Sequence, residues 1–163
     1  MTVSTGRALA LFLAVLLLDQ LTKQAALTYV DPLQAIAVTP FFNLVLVGNR
    51  GISFGLFSTG SLAGSWFLVV MTLAIGVALL LWYRREPRSL PRFALVLVLG
   101  GAVGNLIDRL RFGAVVDFLD FHLQGYHWPA FNVADCAIVV GAALLMVDGL
   151  FVSRATPQQG EER

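Results

Sequence analysis

The sequence predicts an all-α membrane protein of four transmembrane helices, with a small outer β-hairpin or cradle and an outer loop. Hydrophobic residues make up 58% of the 163-residue chain, and charged residues make up only 13%. A soluble domain averages about 45–50% apolar and about 25% charged residues, so this chain cannot cover a water-facing surface. Its apolar residues also form long runs, and its basic residues gather between those runs.

Four segments have the length of about 20 residues that a helix needs to cross the hydrocarbon core. We place them at about 7–27, 62–83, 93–110 and 133–153. The first segment imitates a signal peptide, because Arg7 precedes an apolar run. No clean small-residue cleavage site follows that run, so we predict that it is retained as a helix.

The basic residues indicate how these helices are oriented. The loop between the second and third helices holds a cluster of arginines, namely Arg84, Arg85, Arg88 and Arg92. With four spans, both termini lie on the side of this loop, and the arginine excess predicts that this side is the cytoplasm. We expect one transmembrane domain over residues 1–155, followed by a disordered cytoplasmic tail over residues 156–163.

The two outer connections contain patterns that favour extended structure. Residues 38–47 are rich in β-branched and aromatic residues, residues 48–51 read as a turn, and residues 52–54 resume the pattern. This predicts a hairpin within an outer β region at about 36–57. Residues 114–122 alternate less clearly but favour a second short extended piece.

Polar residues within or next to the apolar segments gather at one depth. The members are Asp19, Lys23, Asn105, Asp108, Arg109, Asp117 and Asp135. Under the predicted orientation they all lie near the outer ends of three helices or in the outer loop. An ionisable residue in a membrane segment is costly and by default suggests function. A shared polar site at the outer interface explains the common depth better than scattered tolerance does.

Several of these residues also have a structural interpretation. Asp19 and Lys23 are four residues apart with the acid first, so a structural ion pair is as well supported as a functional one. Asn132, three residues before Asp135, resembles a helix N-cap with an acid in the first turn. On that spacing alone, capping is the better explanation.

The third helix has structural interpretations as well. Asn105 fits an interhelical hydrogen-bond donor, and Asp108–Arg109 fits an interface anchor with its charge neutralised. The glycines at 100, 101 and 104 allow close helix packing, which is a sufficient account of them.

Other chemistries find little support in the sequence. His122 and His127 are five residues apart, outside the spacing of a zinc-protease helix, so we expect an interfacial role. Cys136, the one cysteine, excludes an internal disulfide and multi-cysteine metal sites, and we expect it to be a small packing residue. No Gly-x-Ser-x-Gly elbow is present, and no basic patch suggests nucleic acid. Asp117 and Asp135 remain the best pair, because a loop can bring one to the helix start that carries the other.

Five blocks of sequence resemble the signal peptidase II (lipoprotein signal peptidase) family. They are DQLTK from residue 19, NRGISFG from 49, GGAVGNLIDR from 100, GAVVDF from 113 and FNVAD from 131. The blocks follow the family's order within residues 19–141. Each block alone would be weak, but five in order with suitable spacing are highly specific.

The resemblance implies a multi-pass aspartic peptidase of the bacterial cytoplasmic (inner) membrane, with its active site at the outer face. It would remove the signal peptide from prolipoproteins that carry diacylglycerol on a cysteine, cutting just before that cysteine. Asp117 and Asp135 would be the catalytic pair. Residues that would support the site or bind substrate are Asp19, Lys23, Asn49, Gly101, Asn105, Asp108, Arg109 and Asn132. The outer hairpin would correspond to the family's cradle over the membrane surface.

The resemblance also sets expectations about partners. We expect membrane lipids as further partners, a monomer, and neither a metal nor an organic cofactor. Two positions depart from the family pattern. Cys136 stands where we expect serine, a near-isosteric change that should not disturb catalysis. Arg50 is bulkier than we expect between Asn49 and Gly51, and we expect it to alter substrate or inhibitor contacts.

Two other functions remain open from the residues alone. A small proton-coupled membrane transporter subunit would also carry intramembrane acids. Here, however, the acids gather at one face, and the midplane of the second and fourth helices is apolar. A non-catalytic membrane assembly factor with a polar outer face is the second alternative.

Overall fold

The computed structural model describes residues 5–51 and 62–155. Within these ranges it contains four helices: α1 (Thr5–Tyr29), α2 (Leu62–Arg85), α3 (Ser89–Phe112) and α4 (Val133–Ala155). All four contain a window long and apolar enough to cross a membrane, which confirms the predicted fold class. The tail predicted at 156–163, and the part of the outer β region at 52–57, lie outside the described residues.

The helices extend somewhat beyond the apolar runs that predicted them, because polar residues continue the helical hydrogen bonding at both ends. The end of α3 is an example. Gly113 adopts a left-handed conformation with φ of 70°, and its N–H donates to the Arg109 carbonyl at 3.0 Å. Such a glycine satisfies an orphan carbonyl of the last turn and stops the helix.

Helix α3 lies at the centre of the bundle and packs against α1, α2 and α4. Its glycines face the neighbouring helices. A Cβ at Gly100 would press on Val15 of α1, and a Cβ at Gly101 would collide with the Ala134 carbonyl oxygen of α4. The small residues therefore allow the close packing that their spacing suggests.

The connections between α1 and α2 and between α3 and α4 form one antiparallel sheet of four strands, in the order β1 (Ile36–Thr39), β2 (Phe42–Asn49), β3 (Val115–Leu123) and β4 (Tyr126–His127). The extended piece predicted at 114–122 is therefore present as β3. Asp117 lies in this strand, so its assignment to a loop was wrong. Gln124 and Gly125, with φ of 50° and 83°, form the tight turn between β3 and β4.

The structure has a hairpin turn where none was predicted, and two residues of the predicted turn lie in a strand instead. Gly48 and Asn49 belong to β2, and the chain reverses at Pro40–Phe41. Pro40 has no N–H to donate to a ladder, and the Phe41 N–H donates to the Thr39 hydroxyl at 3.4 Å. The residues predicted to form the second strand, 52–54, lie outside the described part of the chain.

Strand β2 contains an irregularity that changes which way its side chains point. Leu44 pairs with Leu119 and Val47 pairs with Asp117, so β2 advances by three residues where β3 advances by two. Such an extra residue bends the strand and breaks the strict alternation of its side chains. Asn43 and Asn49 would share a face of a regular strand, but they pair with positions on opposite faces of β3.

An apolar cluster holds the sheet against the C-terminal end of α1. Ala26 and Val30 at the end of α1 are buried with Phe118 of β3. Partly buried side chains surround them, namely Leu44, Leu46, Leu119 and Val133. Because Phe118 follows Asp117 directly, this packing fixes the strand that carries Asp117 against the end of α1.

Candidate active site

The first turn of α4 is closed by a reciprocal pair of hydrogen bonds. The Asp135 N–H donates to Asn132 Oδ1 at 2.9 Å, and the Asn132 N–H donates to Asp135 Oδ2 at 3.2 Å. This is a capping box, and it confirms the capping interpretation of the two residues. Asn132 does more than cap, because its Nδ2 also donates to Asp117 Oδ1 at 2.6 Å. One side chain therefore links two aspartates from different elements.

Backbone pairing brings Asn132 to Asp117. Phe131 pairs with Leu119 of β3 through an isolated bridge, on the edge of β3 opposite β2. Asn132 follows Phe131, and Asp117 lies two residues before Leu119. On the other edge, Asn49 of β2 donates through Nδ2 to Asp117 Oδ2 at 2.8 Å. Both oxygens of the Asp117 carboxylate therefore accept an amide N–H.

The Asp117 side chain is buried, with 1% of the residue exposed. Burial raises the pKa of this carboxyl to about 6, and the nearby charge of Asp135 adds to the effect. The hydrogen bonds from Asn49 and Asn132 act against this rise, because they favour the ionised form. Asp117 is thus a carboxyl that titrates close to neutral pH.

Asp135 is held by α3 and remains partly exposed. Asn105 Nδ2 donates to Asp135 Oδ1 at 2.7 Å. Asn105 Oδ1 in turn accepts from Lys23 Nζ at 2.9 Å and from Asn132 Nδ2 at 3.3 Å. The interhelical role suggested for Asn105 is therefore present, and it orients Asp135.

Beneath the two aspartates lies a buried ionic cluster. Lys23 Nζ is 2.9 Å from Asp19 Oδ2 and 2.8 Å from Asp108 Oδ2. The other carboxylate oxygen of Asp19, Oδ1, accepts the Ala134 N–H in the first turn of α4, at 2.9 Å. Asp108 Oδ2 also accepts the Val116 N–H of β3, at 3.1 Å. The i,i+4 ion pair is confirmed, and Asp108 is a buried connector rather than the interface anchor suggested by its position.

Sequence reasoning missed Gln20. Its Nε2 lies 3.1 Å from both Asp19 Oδ2 and Asp108 Oδ1, and 3.3 Å from the Gly104 carbonyl oxygen. The signal for it was the presence of an uncharged amide between Asp19 and Lys23 in an apolar helix. Such a group also requires partners inside a membrane.

Arg109 differs from its neighbours in having donors to spare. Its NH1 makes a long hydrogen bond of 3.4 Å to the Asn105 carbonyl, and its buried Nε has no acceptor among the residues described. The guanidinium interacts electrostatically with Asp135 and Asp117. Arg109 is therefore placed to bind an oxygen that a ligand brings.

A cleft of about 430 Å³ opens beside Asp117 on the four-stranded sheet. Its lining residues are Val47, Gly48, Asn49, Arg50, Asp117, Pro129 and Ala130. The cleft is bounded by β2 on one side and by the chain that returns towards α4 on the other. Asp117 and Arg50 therefore line the same cleft.

The described residues contain no group of three or more histidine, cysteine or acidic side chains able to hold a metal ion. His122 and His127 stack on each other with ring centroids 4.9 Å apart. The expectation for Cys136 was wrong, because this side chain is exposed on α4 and does not pack in the interior.

The structure brings together nearly all of the residues singled out in the sequence. Eight of them join one hydrogen-bonded network: Asp19, Lys23, Asn49, Asn105, Asp108, Asp117, Asn132 and Asp135. Arg109 lies at its edge. Gly101 makes no side-chain contact, but its lack of a Cβ lets α4 approach α3 where this network forms.

Comparison with known proteins places this arrangement in a family. The family model described as signal peptidase (SPase) II matches residues 11–151. The lipoprotein signal peptidase of Ralstonia nicotianae is 51% identical over 136 residues, which cover 83% of this chain and 79% of that protein. The lipoprotein signal peptidase of Burkholderia mallei is 50% identical over 155 residues, which cover 90% and 92%.

Solved structures agree with the sequence relatives. A bacterial membrane enzyme determined by the in meso method at 2.3 Å resolution superposes with a TM-score of 0.83 and 28% sequence identity. The match covers 99% of this chain and 98% of that one. A second, at 1.9 Å resolution, has a TM-score of 0.82 and 30% identity over 91% of this chain and 96% of that one. The chain belongs to the signal peptidase II family.

Proposed function

We propose that this peptidase removes the signal peptide from prolipoproteins with a diacylglyceryl-modified cysteine, and that Asp117 and Asp135 are its catalytic pair. The observation that carries the proposal is the link through Asn132. Its Nδ2 donates to the Asp117 carboxylate, and its backbone N–H donates to the Asp135 carboxylate. Its Oδ1 accepts the backbone N–H of Asp135. Two carboxyls held at one point are the arrangement that aspartic proteases use, in which the pair shares one proton.

The pair supplies an acid and a base for peptide hydrolysis. The ionised carboxylate takes a proton from water as that water attacks the scissile carbonyl carbon. The protonated carboxyl donates to the carbonyl oxygen, and a proton then passes to the leaving amine as the C–N bond breaks. The raised pKa of Asp117, about 6, supports this chemistry because it keeps a proton available near neutral pH.

The neighbouring residues position this chemistry. Asn49 and Asn132 hold Asp117 from two sides, and Asn105 orients Asp135. Arg109 is our candidate for binding a backbone or ester oxygen of the substrate, because its Nε lacks an acceptor in the described structure. Lys23 and its two partner acids, Asp19 and Asp108, form a buried ionic cluster that joins α3, α4 and β3.

The membrane also determines which substrates can reach the pair. The chain is a multi-pass bacterial membrane protein, and we place both termini in the cytoplasm and the site at the outer face. A diacylglyceryl cysteine keeps its acyl chains in the outer leaflet while the signal peptide spans the core. The scissile bond then lies at the depth of the outer helix ends. We expect a monomer with lipid around the bundle.

The direct test is cleavage of a lipidated prolipoprotein by the purified protein in detergent, with a metal chelator present. We expect a cut immediately before the modified cysteine, mapped by mass spectrometry, and no cut in the same precursor without diacylglycerol. Equal cleavage of both precursors would contradict the proposed substrate. Loss of activity with the chelator would contradict a metal-free aspartic mechanism.

The family assignment favours the peptidase over a transporter subunit or an assembly factor. The same assay separates these functions. Neither alternative produces a new amine terminus at the lipidated cysteine. Cleavage that requires Asp117 therefore removes both alternatives.

A further inference from the structure

The outer sheet contains a second polar cluster on the side away from Asp117. It consists of Asn43 on β2, Asp120 on β3 and His127 on β4. Asn43 Nδ2 lies 2.9 Å from Asp120 Oδ2, and His127 Nδ1 lies 2.9 Å from both oxygens of Asp120. Asp120 is 6% exposed. These three side chains form a chain across three strands, which we call the three-strand clamp.

We propose that the three-strand clamp is a positioning device for the catalytic pair, with Asp120 as its central residue. The inference rests on the proposed function of Asp117 and extends it to a residue outside the site. Asp120 is three residues beyond Asp117 in β3, so the two acids point to opposite faces of the sheet. The clamp therefore acts on the strands and does not contact the reacting atoms.

The strands that the clamp joins are those that deliver the partners of Asp117. Strand β2 carries Asn49 six residues after Asn43, beyond the irregularity that turns it to the other face. The chain after His127 reaches Asn132 in five residues. Asn49 and Asn132 are the two donors to the Asp117 carboxylate. Fixing β2 and β4 against β3 therefore fixes both donors.

The backbone of the returning chain is hydrogen-bonded to β3 at only a few points. Strand β4 is only two residues long, and both of them are exposed. Beyond it, the Trp128 N–H donates to the Phe121 carbonyl, and Pro129 has no N–H to donate. The next backbone bonds to β3 are those of Phe131. The hydrogen bond from His127 to Asp120 therefore adds a side-chain attachment to residues 126–131, whose backbone is bonded to β3 at only a few positions.

The chemistry of Asp120 suits an anchor that persists across physiological pH. Burial acts to raise the pKa of Asp120, but the hydrogen bonds from His127 and Asn43 outweigh it and keep the pKa below its usual value. The carboxylate therefore stays ionised in the pH range where the enzyme works. A hydrogen bond to an ionised acceptor is stronger than a neutral one.

The test uses kcat, KM and the pH profile of full-length enzyme acting on a lipidated prolipoprotein. We expect His127→Ala to lower kcat about tenfold while KM stays within about twofold, since small displacements of positioned groups reduce rate steeply. Asp120→Ala should do the same, and the double variant should be no worse than either single one. His127→Asn, whose amide can replace the Nδ1 donor, should restore kcat.

The pH profile separates positioning from loss of folded protein. Asp117 is faced by Asp135 from α4, by Lys23 from α1 and by Arg109 from α3. None of these charges changes in the clamp variants. If Asn49 and Asn132 drift away, Asp117 loses two bonds that favour its ionised form. The limb of the profile that belongs to the aspartate pair should then move to higher pH by more than about 0.5 unit.

Tyr126→Ala is the matched control. Tyr126 lies beside His127 in β4 and is 88% exposed, so its removal should leave kcat and the pH limb unchanged. A His127→Ala enzyme with normal kcat and an unmoved limb would overturn the clamp. A loss of kcat fully explained by a smaller folded fraction would also overturn it. Failure of the proposed function looks different, because wild-type enzyme would then not cleave the precursor.

Discussion

Asn132 combines a structural role and a proposed functional one in a single side chain, and a substitution can separate them. Serine is as good an N-cap as asparagine, but it has no amide to donate to Asp117. We predict that Asn132→Ser changes the free energy of unfolding by less than about 1 kcal/mol. Turnover should fall by about 10–100-fold, because Asp117 loses a donor that positions it.

Asn132→Ala is the companion variant, since it removes both the cap and the amide. It should lose stability as well as turnover, with the cap contributing about 1 kcal/mol. Thermal unfolding in detergent and precursor cleavage measure the two effects separately. Normal turnover by Asn132→Ser would leave Asn132 with the capping role alone.

The pKa of Asp117 predicts a pH dependence of stability. Its value of about 6 in the folded protein lies above the ordinary value of 3.8, so the folded state binds this proton more tightly than the unfolded state does. The stabilisation from Asp117 is therefore present at low pH and is lost as the pH rises from about 4 to about 6. The loss amounts to about 3 kcal/mol for a shift of this size.

Asp117→Asn isolates this contribution, because asparagine does not titrate. We expect the melting temperature of the wild type, relative to that of the variant, to fall between pH 4 and pH 6.5 and to be constant above. Calorimetry or dye-monitored melting in detergent measures it. Parallel curves for the two proteins would contradict the raised pKa.

The sequence predicted which residues gather in one polar cluster but not what each of them touches. Spacing alone favoured capping for Asn132 and Asp135, because the third partner, Asp117, is distant in the chain. Gln20 was missed because an amide carries no charge to mark it. The outward orientation of Cys136 depends on which face of α4 meets α3, and the all-round apolar character of that helix does not reveal this.

At the scale of elements, Asp19 joins α1 to the first turn of α4 through the Ala134 N–H. It also pairs with Lys23, which keeps Asp108 as a second partner. We predict that Asp19→Asn destabilises the protein by about 1–3 kcal/mol, because a buried charge-assisted bond is weakened. Turnover per folded molecule should stay within about threefold, since Asp19 does not contact Asp117 or Asp135.

Asp31→Asn provides the control for this substitution. Asp31 follows the end of α1 and is exposed. Its side chain accepts the Leu33 N–H, and an asparagine side chain can accept the same hydrogen bond. Both stability and turnover should match the wild type. If Asp19→Asn instead abolished turnover in a fully folded protein, Asp19 would belong to the catalytic machinery.

The contact of α3 with α4 depends on Gly101. A methyl group there would meet the Ala134 carbonyl and lie 2.9 Å from Ile138 Cγ1. We predict that Gly101→Ala costs about 1–3 kcal/mol through overpacking. It should also lower turnover, because α4 carries Asp135 and must move away. Melting temperature and kcat measure the two effects.

Gly76→Ala in α2 is the matched control, because a Cβ there has nothing within 4 Å. Alanine is the better helix former, so stability should be unchanged or higher by up to about 1 kcal/mol. Equal behaviour of the two alanine variants would contradict the close packing of α3 on α4.

Hydropathy predicted the helices well, since each apolar run has to span the membrane. It predicted the outer sheet poorly. Gly48 and Asn49, which were predicted in a turn, belong to β2 because they pair with Val116 and Val115 of β3, which are distant in the chain. The irregularity between Leu44 and Val47 has no local signal either, since it exists only relative to β3.

At the scale of the whole molecule, the arginine-rich loop after α2 and the acidic network lie at opposite ends of the bundle. The arginine-rich loop begins at Arg84 and Arg85 at the end of α2, whereas the acidic network surrounds Lys23. The common depth of the acids was therefore visible from sequence once the orientation was assumed. The partners of each acid became visible only from the contacts between α1, α3, α4 and the sheet.

In the mechanism that we propose, Asp117 and Asp135 together carry out the hydrolysis. The most direct measurement is the turnover of a lipidated prolipoprotein by Asp117→Asn and by Asp135→Asn, each purified in detergent and shown by thermal melting to be folded. We predict that each variant loses at least about 10³-fold in kcat, because one member of an acid–base pair is insufficient. Near-normal turnover by either folded variant would contradict it.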